Sequence, residues 1–325
     1  MNSIFENTLS RRRLILPEDK IYIACSGGPD SVALFYLLLG LAPKWKLKLG
    51  LIHFNHKLRP NASRDARFVK TLAARHNVPF ILGSAGVRKI SKEENFSIEE
   101  AARKARYDFF VKAAKKIRIQ TIALAHTQDD QAETVLMRML QGTGPRGLCG
   151  IREQITLEGV AFVRPLLDFT KQELKNILRE RRLEYCEDET NRSNKFLRNR
   201  IRQQLLPLLK RYNPRVVQAL SRIPSAVCEE QEVMRQVEDA SWKKLFRKRK
   251  LQNLYLNRSL FLKLPGALQF RALERALQKL DAKSGLSYDA WARLRPELSL
   301  RRTRHSLARN IDFILSPSQL KLYKK

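Results

Sequence analysis

The chain has 325 residues, 43% of them hydrophobic and 29% charged, enough for more than one buried core and too evenly mixed for a disordered or fibrous polymer. Its 63 Lys and Arg against 32 Asp and Glu leave a formal charge of +31, far beyond what solubility needs, so a polyanionic partner is expected. No stretch approaches the ~20 apolar residues of a membrane span, so neither a membrane association nor any location but the cytoplasm is expected.

In chain order, Lys20 to Cys25 (KIYIAC) predicts a short strand and Ser31 to Leu41 an apolar helix. The alternation repeats with a strand from Leu47 to Phe54, a helix from Arg64 to His76 and a strand from Pro79 to Leu82. A helix from Ile98 to Lys116 follows, opened by a capping box of Ser97 and Glu100. Thr121 to Ala125 reads as a strand and Asp130 to Gln141 as a helix. This order predicts an α/β fold with a parallel sheet, helices on both faces and ligands at the carboxyl ends of the strands. Beyond an RPLLDFT turn, a second capping box (Thr170, Glu173) opens a mostly helical stretch to Pro214. The expected division is a catalytic domain over 1–212, a helical linker over 213–240 and a small basic domain over 241–325, whose class the sequence does not declare. That last segment carries 21 Lys or Arg and 5 Asp or Glu, which makes it the expected nucleic-acid docking region.

Between the first strand and helix lies Cys25-Ser26-Gly27-Gly28-Pro29-Asp30-Ser31. Gly27 and Gly28 let backbone N–H groups approach an anion closely. The helix start after Pro29 adds partial positive charge, and Ser26 and Ser31 add hydroxyls. Asp30 would repel a phosphate unless a cation bridges them, which implies Mg²⁺ or a base role. No lysine follows, so this is not the GxxxxGK[ST] loop. Gly142, Gly144 and Gly147 also spell GxGxxG, but they follow a helix, which marks a helix-terminating turn rather than a dinucleotide site.

A second constellation, His126-Thr127-Gln128-Asp129-Asp130-Gln131-Ala132-Glu133-Thr134, falls where the strand at Thr121 ends, facing the same crevice. Asp130 and Glu133 share one helical side and suit an amine-bearing substrate or Mg²⁺, whereas Asp129 reads as an N-capping acid. His53 and His56 have no third ligand nearby and read as a strand end. The cysteines Cys25, Cys149, Cys186 and Cys228 form no CxxC pair and carry neither a zinc knuckle nor a dithiol site. Arg192, Lys195, Arg198, Arg200 and Arg202 form a track suited to an RNA backbone, as do Lys243 to Lys250 and Arg301 to Arg304. Of the aromatics nearby, Trp242, Phe246, Tyr255 and Trp291 could stack on bases, though most are expected in the core.

SGGxDS after the first strand resembles the PP-loop of the ATP pyrophosphatase superfamily, an adenine nucleotide alpha hydrolase-like fold. The segments HFNHKLRP at 53–60, EEAARKARY at 99–107, AETVLMRMLQGTGPRGLCGI at 132–151, VRPLLDFTKQEL at 163–174 and NRSNKFLRNRIRQQLLPLL at 191–209 are similar to one branch of it, the tRNA(Ile)-lysidine synthases. The resemblance spans roughly 20–212. One departure is Glu189, where that family usually has proline.

The resemblance implies that ATP adenylylates the C2 oxygen of the first anticodon cytidine of a CAU-anticodon tRNA(Ile), and that the ε-amine of free L-lysine then displaces AMP. It implies ATP on residues 26–31, Asp30 with Mg²⁺ or positioning the reacting groups, and Asp130 and Glu133 orienting and deprotonating lysine. Arg106 and Arg198 would offset charge at the transferring phosphate. No obligate protein partner is expected. The chain is short for that family, whose longer members add a second C-terminal domain. A sulfur-inserting thiolase, which usually carries paired cysteines, a small-molecule amidotransferase and a non-catalytic RNA-binding protein are the rival expectations.

Overall fold

The computed structural model describes residues 2–57, 62–94, 96–186, 196–280, 285–300, 303–308, 310–317 and 319–324. The chain divides into two compact units, Met1–Val227 and Cys228–Lys325.

The first unit opens with α1 (Asn2–Arg12), β1 (Lys20–Ala24), α2 (Pro29–Trp45), β2 (Lys48–Asn55), α3 (Ala62–Arg75), β3 (Phe80–Ser84), α4 (Val87–Glu94) and α5 (Ile98–Lys116). It continues through β4 (Thr121–Ala123), α6 (Gln128–Leu140), α7 (Pro145–Leu148), the β5–β6 hairpin (Gln154–Leu157, Val160–Val163) and α8 (Lys171–Glu180). Then α9 (Leu197–Arg200) passes through a π-helical turn, Ile201–Leu205, into α10 (Leu206–Tyr212). The helix α11 (Val216–Leu245) begins in this unit and ends in the second.

Its sheet has the order β3-β2-β1-β4-β6-β5, parallel except for the antiparallel β5–β6 edge. Because side chains alternate along a strand, Ile21 and Ile23 of β1 join one core with Leu34 and Leu38 of α2. Tyr22 joins the other, with Phe110 of α5 and Phe162 of β6. Both faces are therefore covered, as the strand–helix alternation predicts. The chain order reverses between β1 and β4, which makes their carboxyl ends the switch point where such sheets bind ligands.

Local chemistry explains where the sequence-based boundaries hold. The box of Ser97 and Glu100 forms in both directions, at 3.2 and 3.0 Å, and α5 starts as expected. In α6 it is Thr127 that caps, so the helix begins two residues before the expected Asp130. Gly142, at φ +69, ends that helix, with Thr143 N–H donating to the Arg138 carbonyl, so the GxGxxG glycines serve a helix terminus. The β5–β6 hairpin, α1 and α4 are not among the elements expected from sequence. The hairpin turns on Glu158-Gly159, both at positive φ (48 and 85), where glycine alone announces the turn.

The second unit is an antiparallel sheet packed on helices. Its strands β7 (Phe246–Lys250), β8 (Asn253–Asn257), β9 (Thr303–Ala308), β10 (Ile311–Leu315) and β11 (Gln319–Lys324) lie in the order β7-β8-β11-β10-β9. Between β8 and β9 come α12 (Arg258–Lys263), α13 (Gly266–Lys279) and α14 (Tyr288–Leu294). Leu254, Leu256, Phe313, Leu320 and Leu322 point to one face, where they meet Leu273, Leu277 and Trp291.

Candidate active site

A cavity of about 790 Å³ opens at the switch point, a size suited to a nucleotide. Its floor is the glycine turn after β1. Gly27 sits at φ +91, a conformation that L side chains resist, and its carbonyl accepts the Cys186 N–H at 2.9 Å. A Cβ there would meet nothing closer than 3.5 Å, so backbone conformation rather than space demands the glycine.

The Ser31 hydroxyl is the turn's internal brace. It accepts the Ser26 N–H at 3.2 Å, donates to the Gly28 carbonyl at 2.9 Å and lies 3.2 Å from the Ser26 hydroxyl. From β2, His53 Nδ1–H donates to the Cys25 carbonyl at 2.8 Å, and the Cys25 N–H donates to the Ile52 carbonyl. Burial keeps this imidazole below its ordinary value, so His53 is a neutral support of the turn.

Asp30, in the first turn of α2, lines the cavity with Pro29. Its Oδ1 is buried with no hydrogen-bond partner among the described residues, and burial pushes the carboxyl up to about 6. Lys171 and Arg202 pull the other way, while Asp130 and Asp129 add to the rise. A carboxylate so placed, short of partners and facing a phosphate cradle, is one that would hold a divalent cation there.

Opposite, at the end of β4, Thr127 donates from N–H and hydroxyl to Asp130 Oδ2, both at 2.9 Å. Lys171 Nζ donates to Asp130 Oδ1 at 2.9 Å. Burial alone would raise this carboxyl, but Lys171, Arg198 and His126 together hold it well below the usual carboxylate range. Glu133, with a side chain only 1% exposed, accepts Arg198 Nε at 2.9 Å and Arg202 Nε at 2.6 Å. Arg198 and Arg202 stand four residues apart, so α9 and its π turn bring both to one carboxylate.

Asp129 acts structurally: its Oδ2 accepts the Lys171 N–H at 2.8 Å and ties the starts of α6 and α8 together. The third wall is cationic. Arg106 and Arg103 of α5 lie 5.7 and 4.9 Å from the Tyr107 ring centroid. Arg106 Nε and His126 Nδ1 are buried without a hydrogen-bond partner among the described residues. Burial, with Arg103, Arg164 and Arg198 nearby, lowers the Arg106 guanidinium, and burial pushes the His126 imidazole down to about 3. Cations crowded together with unspent donors mark an anion site.

The structure thus brings together Ser26, Gly28, Pro29, Asp30, Ser31, Arg106, Asp130, Arg198 and Arg202 on one cavity, with Gly27 shaping its floor and Glu133 behind Asp130. Arg202, expected on an RNA track, points inward to Glu133, whereas Arg200 is exposed. Arg192, Lys195 and Glu189 lie outside the described residues, as do Arg301 and Arg302. Lys171 is the site residue that the sequence did not disclose. Its signal is there in retrospect: a lysine in the first turn of a helix opposes the dipole, which calls for a nearby acid.

Comparison with known proteins gives the same frame. Residues 1–209 match the PP-loop domain family. The tRNA(Ile)-lysidine synthase of Geobacter sulfurreducens is 41% identical over 226 residues, 69% of this chain and 47% of that protein. That of Thermotoga maritima is 38% identical over 210 residues, 64% and 49% of the two. A bifunctional relative in Listeria monocytogenes is 37% identical over 68% of this chain and 34% of its own length, so the chain spans about a third to a half of these relatives. Among solved structures, a U34-tRNA thiolase from Methanococcus maripaludis superposes with a TM-score of 0.60 at 18% identity, covering 70% of this chain and 78% of that one, a likeness of fold. With the family match covering the whole of the glycine turn, the Asp130 helix and the arginine wall, the chain belongs to the PP-loop domain family.

Proposed function

We propose that this chain ligates L-lysine to C2 of the first anticodon cytidine of a CAU-anticodon tRNA(Ile), with ATP going to AMP and diphosphate. The observation that carries the reading is the cavity that has the phosphate cradle on one side and Asp130, backed by Glu133, on the other. The identity to lysidine synthases supports it over the segment that builds this cavity.

The cytidine O2 attacks the α-phosphate and diphosphate leaves; the lysine ε-ammonium gives a proton to solvent, its free amine attacks C2 and AMP leaves with O2. Backbone N–H groups of the turn at 26–31, Pro29 excepted, and the start of α2 hold the ATP phosphates. Asp30 would hold Mg²⁺, which supplies charge neutralisation for those phosphates. Arg106, with its unspent Nε, stabilises charge as it builds at the transferring phosphate, and His126 adds a neutral nitrogen beside it. Asp130 is held too low to accept a proton at neutral pH, so its part is to bind and aim the amine rather than to deprotonate it. Arg198 and Arg202 fix Glu133 behind it. The basic segment 241–325 takes the tRNA body, with Arg192, Lys195 and Arg200 as further backbone contacts.

The deciding experiment is mass spectrometry of nucleosides from a CAU-anticodon tRNA(Ile) incubated with the protein, ATP, Mg²⁺ and lysine. A lysine-conjugated cytidine that disappears in Asp30→Ala supports the reading. Diphosphate release without the modified base sinks it and redirects the search to another nucleophile.

A further inference from the structure

The two faces of the second unit's sheet differ in kind. One is the leucine-rich face under the helices. On the other, two rows of side chains cross the strands. Register puts Lys248, Tyr255, Lys321, Ile314 and Arg304 in one row. The second runs Lys250, Asn253, Tyr323, Asp312 and Ser306. Alternation along each strand makes these the residues that do not enter the core.

The tyrosines are bracketed by cations. Lys248 and Lys321 lie 5.4 and 5.9 Å from the Tyr255 ring centroid, and Lys321 and Arg304 lie 5.0 and 5.9 Å from that of Tyr323. Tyr323 is also anchored, because its hydroxyl donates to Asp312 Oδ2 at 3.1 Å. Asp312, the one acid in the two rows, is itself buried and bound by Arg304 at 2.9 Å, so it offsets that one cation and leaves Lys248, Lys250 and Lys321 to set the charge of the face. Both rings are half-buried on a surface that β7, with every residue exposed, extends in basic charge.

We infer that this outer sheet face, centred on Tyr255 and Tyr323, binds an unpaired stretch of RNA by stacking bases on the tyrosines, whose faces the long Lys248 and Lys321 side chains leave to meet its phosphates. Charge complementarity selects a polyanion. Planar rings spaced among the cations select one with exposed bases, because a duplex hides its base faces and a lipid headgroup has none. The inference rests on the proposed tRNA reading only for which RNA arrives in the cell.

The test is fluorescence anisotropy of the full chain with a labelled, unstructured RNA of about ten nucleotides, a length matched to such surfaces. Tyr255→Ala is expected to weaken binding roughly tenfold, the loss of one stacked base, while Tyr255→Phe, which keeps the ring, stays within about twofold. Lys321→Ala is expected to reduce the slope of log affinity against log salt by about 0.7. An RNA duplex of the same length should not distinguish Tyr255→Ala from the unaltered chain. Unchanged oligonucleotide binding in Tyr255→Ala overturns the inference. So does an equal loss of oligonucleotide and duplex, or preference for anionic phospholipid vesicles over the oligonucleotide. No turnover is needed, so a chain that binds through Tyr255 but makes no modified cytidine sinks the ligase reading alone.

Discussion

Arginine and lysine serve opposite ends in the two units. In the first, Arg198, Arg202 and Lys171 converge on Asp130 and on Glu133, which is almost wholly withdrawn from water. In the second, Lys248 and Lys250 stand on the exposed strand β7. Desolvation is what separates the two sets. Inside, each charge depends on a named partner; outside, each is screened by salt and exchangeable for a neighbour.

The largest contrast should come from Glu133→Ala, which strips two arginines of their shared carboxylate. A loss of about 3 kcal/mol in thermal unfolding of the full chain is expected. Lys248→Ala, its exposed counterpart, should stay within about 0.5 kcal/mol. Equal losses would break the comparison.

Next comes Asp30→Asn, where the sign is opposite. A carboxyl raised from 3.8 to about 6 stabilises the fold below its unfolded value and loses that contribution as pH rises through about 6. At pH 8 the asparagine variant should therefore be more stable by roughly 2 kcal/mol, with the gain gone near pH 4, as melting temperatures across pH would record. Such a gain alongside lost ligation marks a group kept at the expense of stability for its chemistry. The same rise predicts that Mg²⁺–ATP binding near pH 6 releases up to about half a proton from Asp30 while binding at pH 8 releases none from it, which titration calorimetry in buffers of different ionisation enthalpy would measure.

Gly27→Ala should cost about 1 kcal/mol from its positive φ alone, since the added methyl finds ordinary contacts. The smallest expected effect is on binding: Lys248→Ala should lower the salt slope for tRNA by just under one, with little change at high salt.

How much of this was legible in the sequence follows from how local each cause is. The glycine turn, the Ser97–Glu100 box and the strand–helix alternation are set by residues a few positions apart, and each appears where the sequence put it. The meeting of Arg202 with Glu133, or of Lys171 with Asp130, depends on pairs 69 and 41 residues apart, and no periodicity encodes them. Trp242 and Trp291 entered the core while Tyr255 stayed on the outer face, a division decided by strand register in a unit whose class the sequence had not declared. The Glu158-Gly159 hairpin escaped because glutamate at positive φ carries no turn signal of its own.

Lys171 gives the site a resident counter-ion. With its ammonium on Asp130 Oδ1, the amine of the proposed substrate would bind by exchange rather than by filling an empty position. Its affinity is then the difference between two chemically similar attachments, small for any amine that does no more than imitate Lys171. Selectivity for one amine over another must come from what the rest of that molecule touches, because the ammonium group alone replaces like with like.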